Sequence, residues 1–295
     1  MPIVSYPIGG TVSHADNLLL WAVELGHLGT VTCLVEQHKA DVHTTDNYGL
    51  CLAAERGCLE IIDYLLQCGA EPAANDWFCL KIAAEYGKLS CVERLLKVPS
   101  AQVAVDGQYC IKWAARNGHT AVVSRLLSHP DCNPAVDDSY ALTWAARYGH
   151  VDTVRVLLEQ DGRVDIHSAD DAPLRRAAEF GHLETLELLL CHGAYPEADD
   201  DYAIKWASRN GHEFVVGKLL SMFSVDPTTD FNYALKWSAL KMKERVVQLL
   251  ANDHRFTLDD IQSSLVWVLR EATPDHEAVL RIMSIAIEER MKDVF

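Results

Sequence analysis

Basic side chains are scarce in this sequence: 26 Lys and Arg stand against 42 Asp and Glu, a formal net charge of −16. A chain so charged repels phosphate backbones and anionic membrane surfaces, which argues against nucleic acid or membrane as a partner. No window approaches eighteen uninterrupted apolar residues, and the opening stretch Met1 to Gly10 has no basic segment followed by an apolar core, so neither a membrane span nor a secretory leader is expected. Nine cysteines, an odd number scattered from Cys33 to Cys191, include no CxxC pair. They signal neither a zinc knuckle nor a disulfide framework and read as small buried hydrophobes. A soluble, intracellular, cytoplasmic protein is the expectation. GxSxG, Walker A, GxGxxG and HExxH motifs are absent as well, so no catalytic constellation, metal or cofactor is expected. With 49 % apolar and 23 % charged residues over 295 positions, disorder and collagen are excluded.

What the sequence does have is an internal repeat. Lys112-Trp-Ala-Ala-Arg-Asn-Gly-His119 lies without a gap over Thr143-Trp-Ala-Ala-Arg-Tyr-Gly-His150 and over Lys205-Trp-Ala-Ser-Arg-Asn-Gly-His212. The glycine of this block recurs at Gly26, Gly57, Gly87, Gly118, Gly149, Gly181 and Gly211, at intervals of 31, 30, 31, 31, 32 and 30. A period of this length marks stacked supersecondary units. Lys236-Trp237-Ser238-Ala239 continues it with Met242 in the glycine position, and Trp267 lies 30 beyond Trp237 in a last, divergent copy. The count is eight repeats plus that degenerate one.

Within a unit the apolar spacing is helical. Leu142, Ala145 and Ala146, then Val151, Val154, Leu157 and Leu158, predict two short helices, roughly residues 141–148 and 151–159, parted by Gly149. Glycine there suits a left-handed helix C-cap, and paired alanines let helices approach closely. Between units, Pro72, Pro134, Pro196 and Pro227 each precede an aromatic residue by six positions, at Phe78, Tyr140, Tyr202 and Tyr233. Proline bars helix continuation, and the acidic and small residues that follow it are turn formers. Each unit therefore reads as helix, tight turn, helix, protruding turn.

These residues resemble the ankyrin-repeat family over roughly residues 15–250. The Ala-Ala-x-x-Gly-His block carries the resemblance, together with second-helix segments such as Gly181-His-Leu-Glu-Thr-Leu-Glu-Leu-Leu-Leu190 followed by Cys-His-Gly-Ala194. The family's Thr-Pro-Leu-His segment is replaced here by Tyr-Ala-Leu or its equivalent, with Trp before the paired small residues, and the unit is about two residues short of the common 33. This looks like the tryptophan-containing variant of giant-virus, protist and fungal arrays. The resemblance implies an all-α solenoid of stacked helix-turn-helix repeats. We divide the chain into an N-terminal lead at 1–14, the array at 15–250 and a degenerate helical capping repeat at 251–295.

Two columns invite chemistry. One histidine per repeat (His27, His119, His150, His182, His212) cannot converge on one ion, because repeats stack about 10 Å apart; structural hydrogen bonding at the start of the second helix is expected. The tryptophans Trp21, Trp113, Trp144, Trp206, Trp237 and Trp267 are read as inter-repeat packing rather than as a base-stacking ladder. Only Trp77 stands outside that column, at a turn tip, where an exposed aromatic anchor is expected. The Asp199-Asp200-Asp201 run lacks the alternate spacing and closing Glu of a calcium loop.

Acidic residues fall in one register at the turn tips, and a basic column (Lys81, Lys112, Arg175, Lys205, Lys236) runs beside them, neutralising part of the charge. By the resemblance, partners bind a concave surface of turn tips and exposed first-helix ends. Residue by residue this assigns Asp137, Asp138, Asp170, Asp171, Asp199, Asp200 and Asp201 at the tips. Arg116, Asn117, Arg147, Tyr148, Phe180 and Arg209 before the glycines, and Trp77, complete the surface. Arg147, Tyr148 and Phe180 are expected to be anchors free of packing. The function so implied is a non-catalytic, monomeric scaffold that binds another protein carrying a basic segment. The alternative is a substrate-recruiting adaptor of a larger enzyme complex, such as a ubiquitin ligase, docked through the C-terminal unit.

Overall fold

The computed structural model describes residues 13–99 and 101–292; most of the lead at 1–14 lies outside them. The described residues form eighteen α-helices and one 3₁₀ turn, with no strand among them. The chain divides into two compact units, residues 1–136 and 137–295. The first holds four helix pairs: α1 (His14–Glu24) with α2 (Leu28–Glu36), α3 (Thr44–Arg56) with α4 (Leu59–Gln67), α5 (Ala74–Glu85) with α6 (Leu89–Leu95), and α7 (Val105–Arg116) with α8 (Thr120–Leu127). In the second, α9 (Val136–Arg147) pairs with α10 (Val151–Gln160), α11 (Ser168–Phe180) with α12 (Leu183–Cys191), and α13 (Ala198–Asn210) with α14 (Glu213–Leu220). Then α15 (Thr229–Leu240) pairs with α16 (Glu244–Asn252), and α17 (Leu258–Glu271) with α18 (Glu277–Lys292). Successive first helices pack side by side from α1 to α7 and from α11 to α17, and in those pairs the second helices pack on their own first helix and on each other.

The small-residue pairs do what close packing requires: Ala145, Ala146, Ala177, Ala178 and Ala207 are fully buried between helices, beside Leu142, Val154 and Leu157. Gly149 and its equivalents reverse the chain in the left-handed region. At Gly181 (φ 81°) the His182 N–H reaches back to Ala177 O at 2.9 Å, closing a Schellman cap. The glycine also answers a demand from the neighbouring repeat, because a Cβ added to Gly149 would stand 2.4 Å from Nδ1 of His182.

The terminal pairs differ in how they begin. α1 and α17 start on capping boxes, Ser13 with Asp16 and Thr257 with Asp260. The C-terminal pair is locked to its neighbour by two arginines. Arg255 donates to the carbonyls of Leu220, Val225 and Met222 at 2.8, 2.7 and 3.2 Å. Arg290 donates to those of Ala251 and Asp253 at 2.8 and 2.7 Å and to Phe256 O, over a fully buried Phe256 ring. These bonds satisfy carbonyls that helix ends leave without intrahelical partners.

Candidate functional site

Before the right-handed part of most first helices the backbone makes a left-handed turn of three consecutive residues. Asp137-Asp138-Ser139, Ala169-Asp170-Asp171, Asp199-Asp200-Asp201 and Asp230-Phe231-Asn232 all have φ between 50° and 63°. Such φ values cost L-residues about 1–2 kcal/mol each, least for Asp and Asn, which explains the composition of the tips. The first two residues of each triplet are exposed and the third is buried. Its side chain braces the next repeat: the Glu71, Tyr195 and Asp226 N–H groups donate to Asn47, Asp171 and Asp201 at 2.8, 2.9 and 2.9 Å.

This inward third position overturns three expectations. Trp77 is not an exposed anchor; it is third in its triplet, 3 % exposed, and fills the strut position with its indole. Asp171 and Asp201, 3 % and 6 % exposed, are likewise struts rather than partner contacts. Burial raises the Asp201 carboxyl above the ordinary carboxylate range, against the lowering effect of the Asp226 N–H.

The outer residues are where a partner can reach. Asp137, Asp138, Asp170, Asp199 and Asp200 are exposed. Asp199 is ion-paired to Arg175, and in the same way Lys81 reaches Asp106 at 3.3 Å and Lys205 reaches Asp230 at 3.9 Å, so the basic column neutralises the tip of the following repeat. Asp138, Asp170 and Asp200, second in their triplets, keep their charge without an ion pair among the described residues. Phe231 occupies that same second position with a ring 85 % exposed at φ 55°. It was missed in the sequence, although a phenyl in the column of Asp138, Asp170 and Asp200 was the signal.

Along the exposed side of the first helices runs an aromatic ladder. Tyr140 packs on Trp144 (5.3 Å between ring centroids), Tyr202 on Trp206 (5.5 Å) and Tyr233 on Trp237 (5.7 Å), and the repeats are joined by Trp206 with Tyr233 and Trp237 with Trp267. The tryptophans therefore pack chiefly on tyrosines of their own repeat, with inter-repeat contacts added. Trp21 departs from its column and is 63 % exposed, having Asn17 where later repeats carry the tyrosine.

Arginine enters the ladder as well. The Arg147 guanidinium lies between Trp144 and Phe180, 4.6 Å from each centroid, and Arg209 lies between Trp206 and Trp237 at 4.7 and 4.6 Å. Arg116 stacks on Trp113 at 4.4 Å, and Asn117 donates to Glu85 O at 2.9 Å. Arg147 is thus engaged in packing, contrary to the expectation of a free anchor, because a guanidinium beside an aromatic face is attracted to it, whereas Phe180, which it touches, is still 40 % exposed. Tyr148 remains 43 % exposed at the rim, touching Trp144.

The histidine column is structural, as the sequence suggested. Nε2 of His119, His182 and His212 each lies 2.9 Å from a carbonyl of the preceding repeat: Glu85, Arg147 and Glu179. Burial lowers the His182 pKa, keeping that ring neutral. The cysteines divide: Cys51, Cys79, Cys91, Cys110 and Cys132 are buried, whereas Cys33, Cys58 and Cys68 are half-buried and Cys191 is exposed. Burial pushes the Cys91 thiol up to about 11 and that of Cys110 to about 12. Among the described residues no His, Cys, Asp and Glu cluster is placed to hold a metal ion, and no helix is long and apolar enough to cross a membrane.

Paired helices on a 31-residue period, pinned by buried polar struts and edged by an ordered charged face, define a helical-repeat recognition protein. Residues 80–170 and 111–200 match the family model for ankyrin repeats in three copies, and residues 49–77 match that for the single ankyrin repeat. The chain belongs to the ankyrin-repeat family. Its repeats form a protein–protein interaction domain, and proteins of this family are in general non-catalytic scaffolds. No curated protein matches the chain.

Proposed function

We propose that the chain is a monomeric, non-catalytic scaffold whose turn tips and first-helix face hold a basic segment of a partner protein. The carrying observation is the row Asp138, Asp170 and Asp200: three exposed carboxylates without ion pairs among the described residues, at one register, on turns braced from beneath by buried side chains. Fixed charges on a rigid edge steer a complementary partner and set its register. Phe231, next in the same row, supplies an aromatic contact of the kind that dominates interface energetics. Nine free cysteines suit a reducing, cytoplasmic setting.

The test compares affinity capture by the full chain with capture by the triple variant Asp138→Asn, Asp170→Asn, Asp200→Asn. Partners lost by the variant, weakened by salt and carrying basic segments are the expected result. Captures indifferent to both changes overturn the reading. A second reading, an adaptor docked through its C-terminal unit, draws support from Val266 and Leu269 of α17, each 54 % exposed. It predicts partners lost on Val266→Asp with Leu269→Asp and retained by the triple variant.

A further inference from the structure

In the second unit the side chain three residues after each Trp position follows a two-repeat alternation: Arg147, Glu179, Arg209, Leu240, Arg270. The acidic member is satisfied internally, since Glu179 accepts from Arg176 at 2.5 Å and from Tyr202 Oη at 3.2 Å. The arginines are not matched in the same way. In a chain of net charge −16, none of Arg147, Arg209 and Arg270 meets a carboxylate among the described residues. Arg209 has only the phenol of Tyr233, at 3.0 Å, and Nε of Arg147 is buried without an acceptor.

The guanidinium carbons of Arg147 and Arg209 each lie within 4.7 Å of two ring centroids, close enough for the rings to hold the group in place. That geometry fixes the fork and suits a carboxylate approaching edge-on. Arg270 is exposed and lines a groove of about 440 Å³ with Lys236, Gln262 and Trp267, where Lys236 Nζ stands 6.0 Å from the indole. Two cations against the single Asp259 make this groove locally basic.

Resting on the interaction reading above, we propose that Arg147, Arg209 and Arg270 form a rail that takes acidic side chains of an extended partner segment. Packed helices lie about 8–10 Å apart, so arginines two repeats apart are spaced by roughly 20 Å. An extended strand advances about 3.3 Å per residue, which puts the matching carboxylates about six residues apart. Six is even, so those carboxylates project from one side of the strand. The odd positions between them face the other way, toward the acidic tips, which stand about 14 Å from the rail along the first helices. The partner segment is therefore of mixed charge, with acids toward the rail and bases toward the tips.

The probe is a fluorescein-labelled peptide of Ser, Thr and Gly carrying three glutamates about six residues apart, titrated into the full chain beside a control with about three-residue spacing. Fluorescence polarisation is expected to show about tenfold tighter binding for the wider spacing; Arg270→Gln should weaken it about tenfold with an unchanged melting curve, and Arg209→Lys should weaken it about tenfold when measured well below that variant's own melting point. Lysine at position 209 keeps the charge but loses the fork and the stacking between Trp206 and Trp237, so its melting curve is recorded alongside, whereas Arg270 is exposed and its change is no folding defect. Equal affinity for the two spacings, equal binding of a lysine-substituted peptide, or equal binding of an oligo-dT strand overturns the rail. If the peptides fail while capture still depends on Asp138, Asp170 and Asp200, the rail falls and the tip reading stands. If the peptides bind as expected while capture is independent of the tips, the tip reading falls and the rail stands.

Discussion

Trp77 and Phe231 stand one register position apart in equivalent turns, and the turn sends them in opposite directions. The third triplet position points inward and the second outward, so Trp77→Ala should cost about 3–5 kcal/mol through the cavity it leaves. Phe231→Asp should instead raise stability slightly, by about 0.5–1 kcal/mol, because Asp tolerates the left-handed region better, while weakening capture of partners. Chemical denaturation of the two variants separates these outcomes. Arg147→Ala, which loses contact with both Trp144 and Phe180, should cost about 1–2 kcal/mol in the same measurement. No rule of sequence periodicity describes a three-residue left-handed turn, and for that reason the inward positions of Trp77, Asp171 and Asp201 were not legible. The tips themselves were, because proline, acidic residues and the aromatic at fixed offsets bracket them.

Asp201 also gives the stack a pH dependence of stated sign. Its folded carboxyl binds a proton more tightly than in the unfolded chain, since burial disfavours the charge. The stability it contributes is fully present below the ordinary carboxylate range and is lost as pH rises through its raised value. Asp201→Asn keeps an acceptor for the Asp226 N–H, and Asn already serves as the strut at Asn47. The variant should be at least as stable as the parent at neutral pH and show a flatter rise of stability on acidification from there. A melting series across the mildly acidic range that shows no flattening would contradict this.

At the scale of the element, the glycine and histidine columns explain why so much of the fold could be read from residues. Gly149 is required twice over, by its own left-handed cap and by the His182 ring lying against it, so the two columns recur together. Both expected helices of the Tyr140 repeat appear, and the first merely gains its left-handed lead-in at Val136. Legibility was weaker on the helix face. Arginine and tryptophan were each noted there, but the sandwich depends on the distance between neighbouring repeats, which period alone does not set. Met242 shows the columns loosening toward the C-terminus: it holds the glycine position at φ 55° with a half-exposed side chain. Met242→Gly should remove that strain and stabilise by about 1 kcal/mol, raising the melting temperature by roughly 2–4 °C. An unchanged or lower melting point would mean that the methionine side chain contributes as much as its backbone costs.

In a molecule built from nearest-neighbour interfaces, each helix pair is stable only to the extent that its apolar side is covered. α17 and α18 cover α15 and α16: Phe256, Ile261, Val268 and Met283 are fully buried there, Asn232 donates to Asp260 at 3.0 Å, and His276 Nε2 lies 3.1 Å from Leu240 O. Arg255 and Arg290 add carbonyl contacts that close the ends of α14 and α16. Truncation after Asn252 removes all of these at once. The shortened chain should melt on the order of 10 °C lower and bind a hydrophobic dye, because uncovering several large apolar side chains at about 1.5–3 kcal/mol each outweighs any single surface contact. A docking motif would behave otherwise: its removal would leave the melting profile and the oligomeric state unchanged and abolish a partner. Covering apolar surface and recruiting a partner are thus told apart by measuring melting curve and capture on the same truncated chain, and the fully buried Phe256 places the weight on covering.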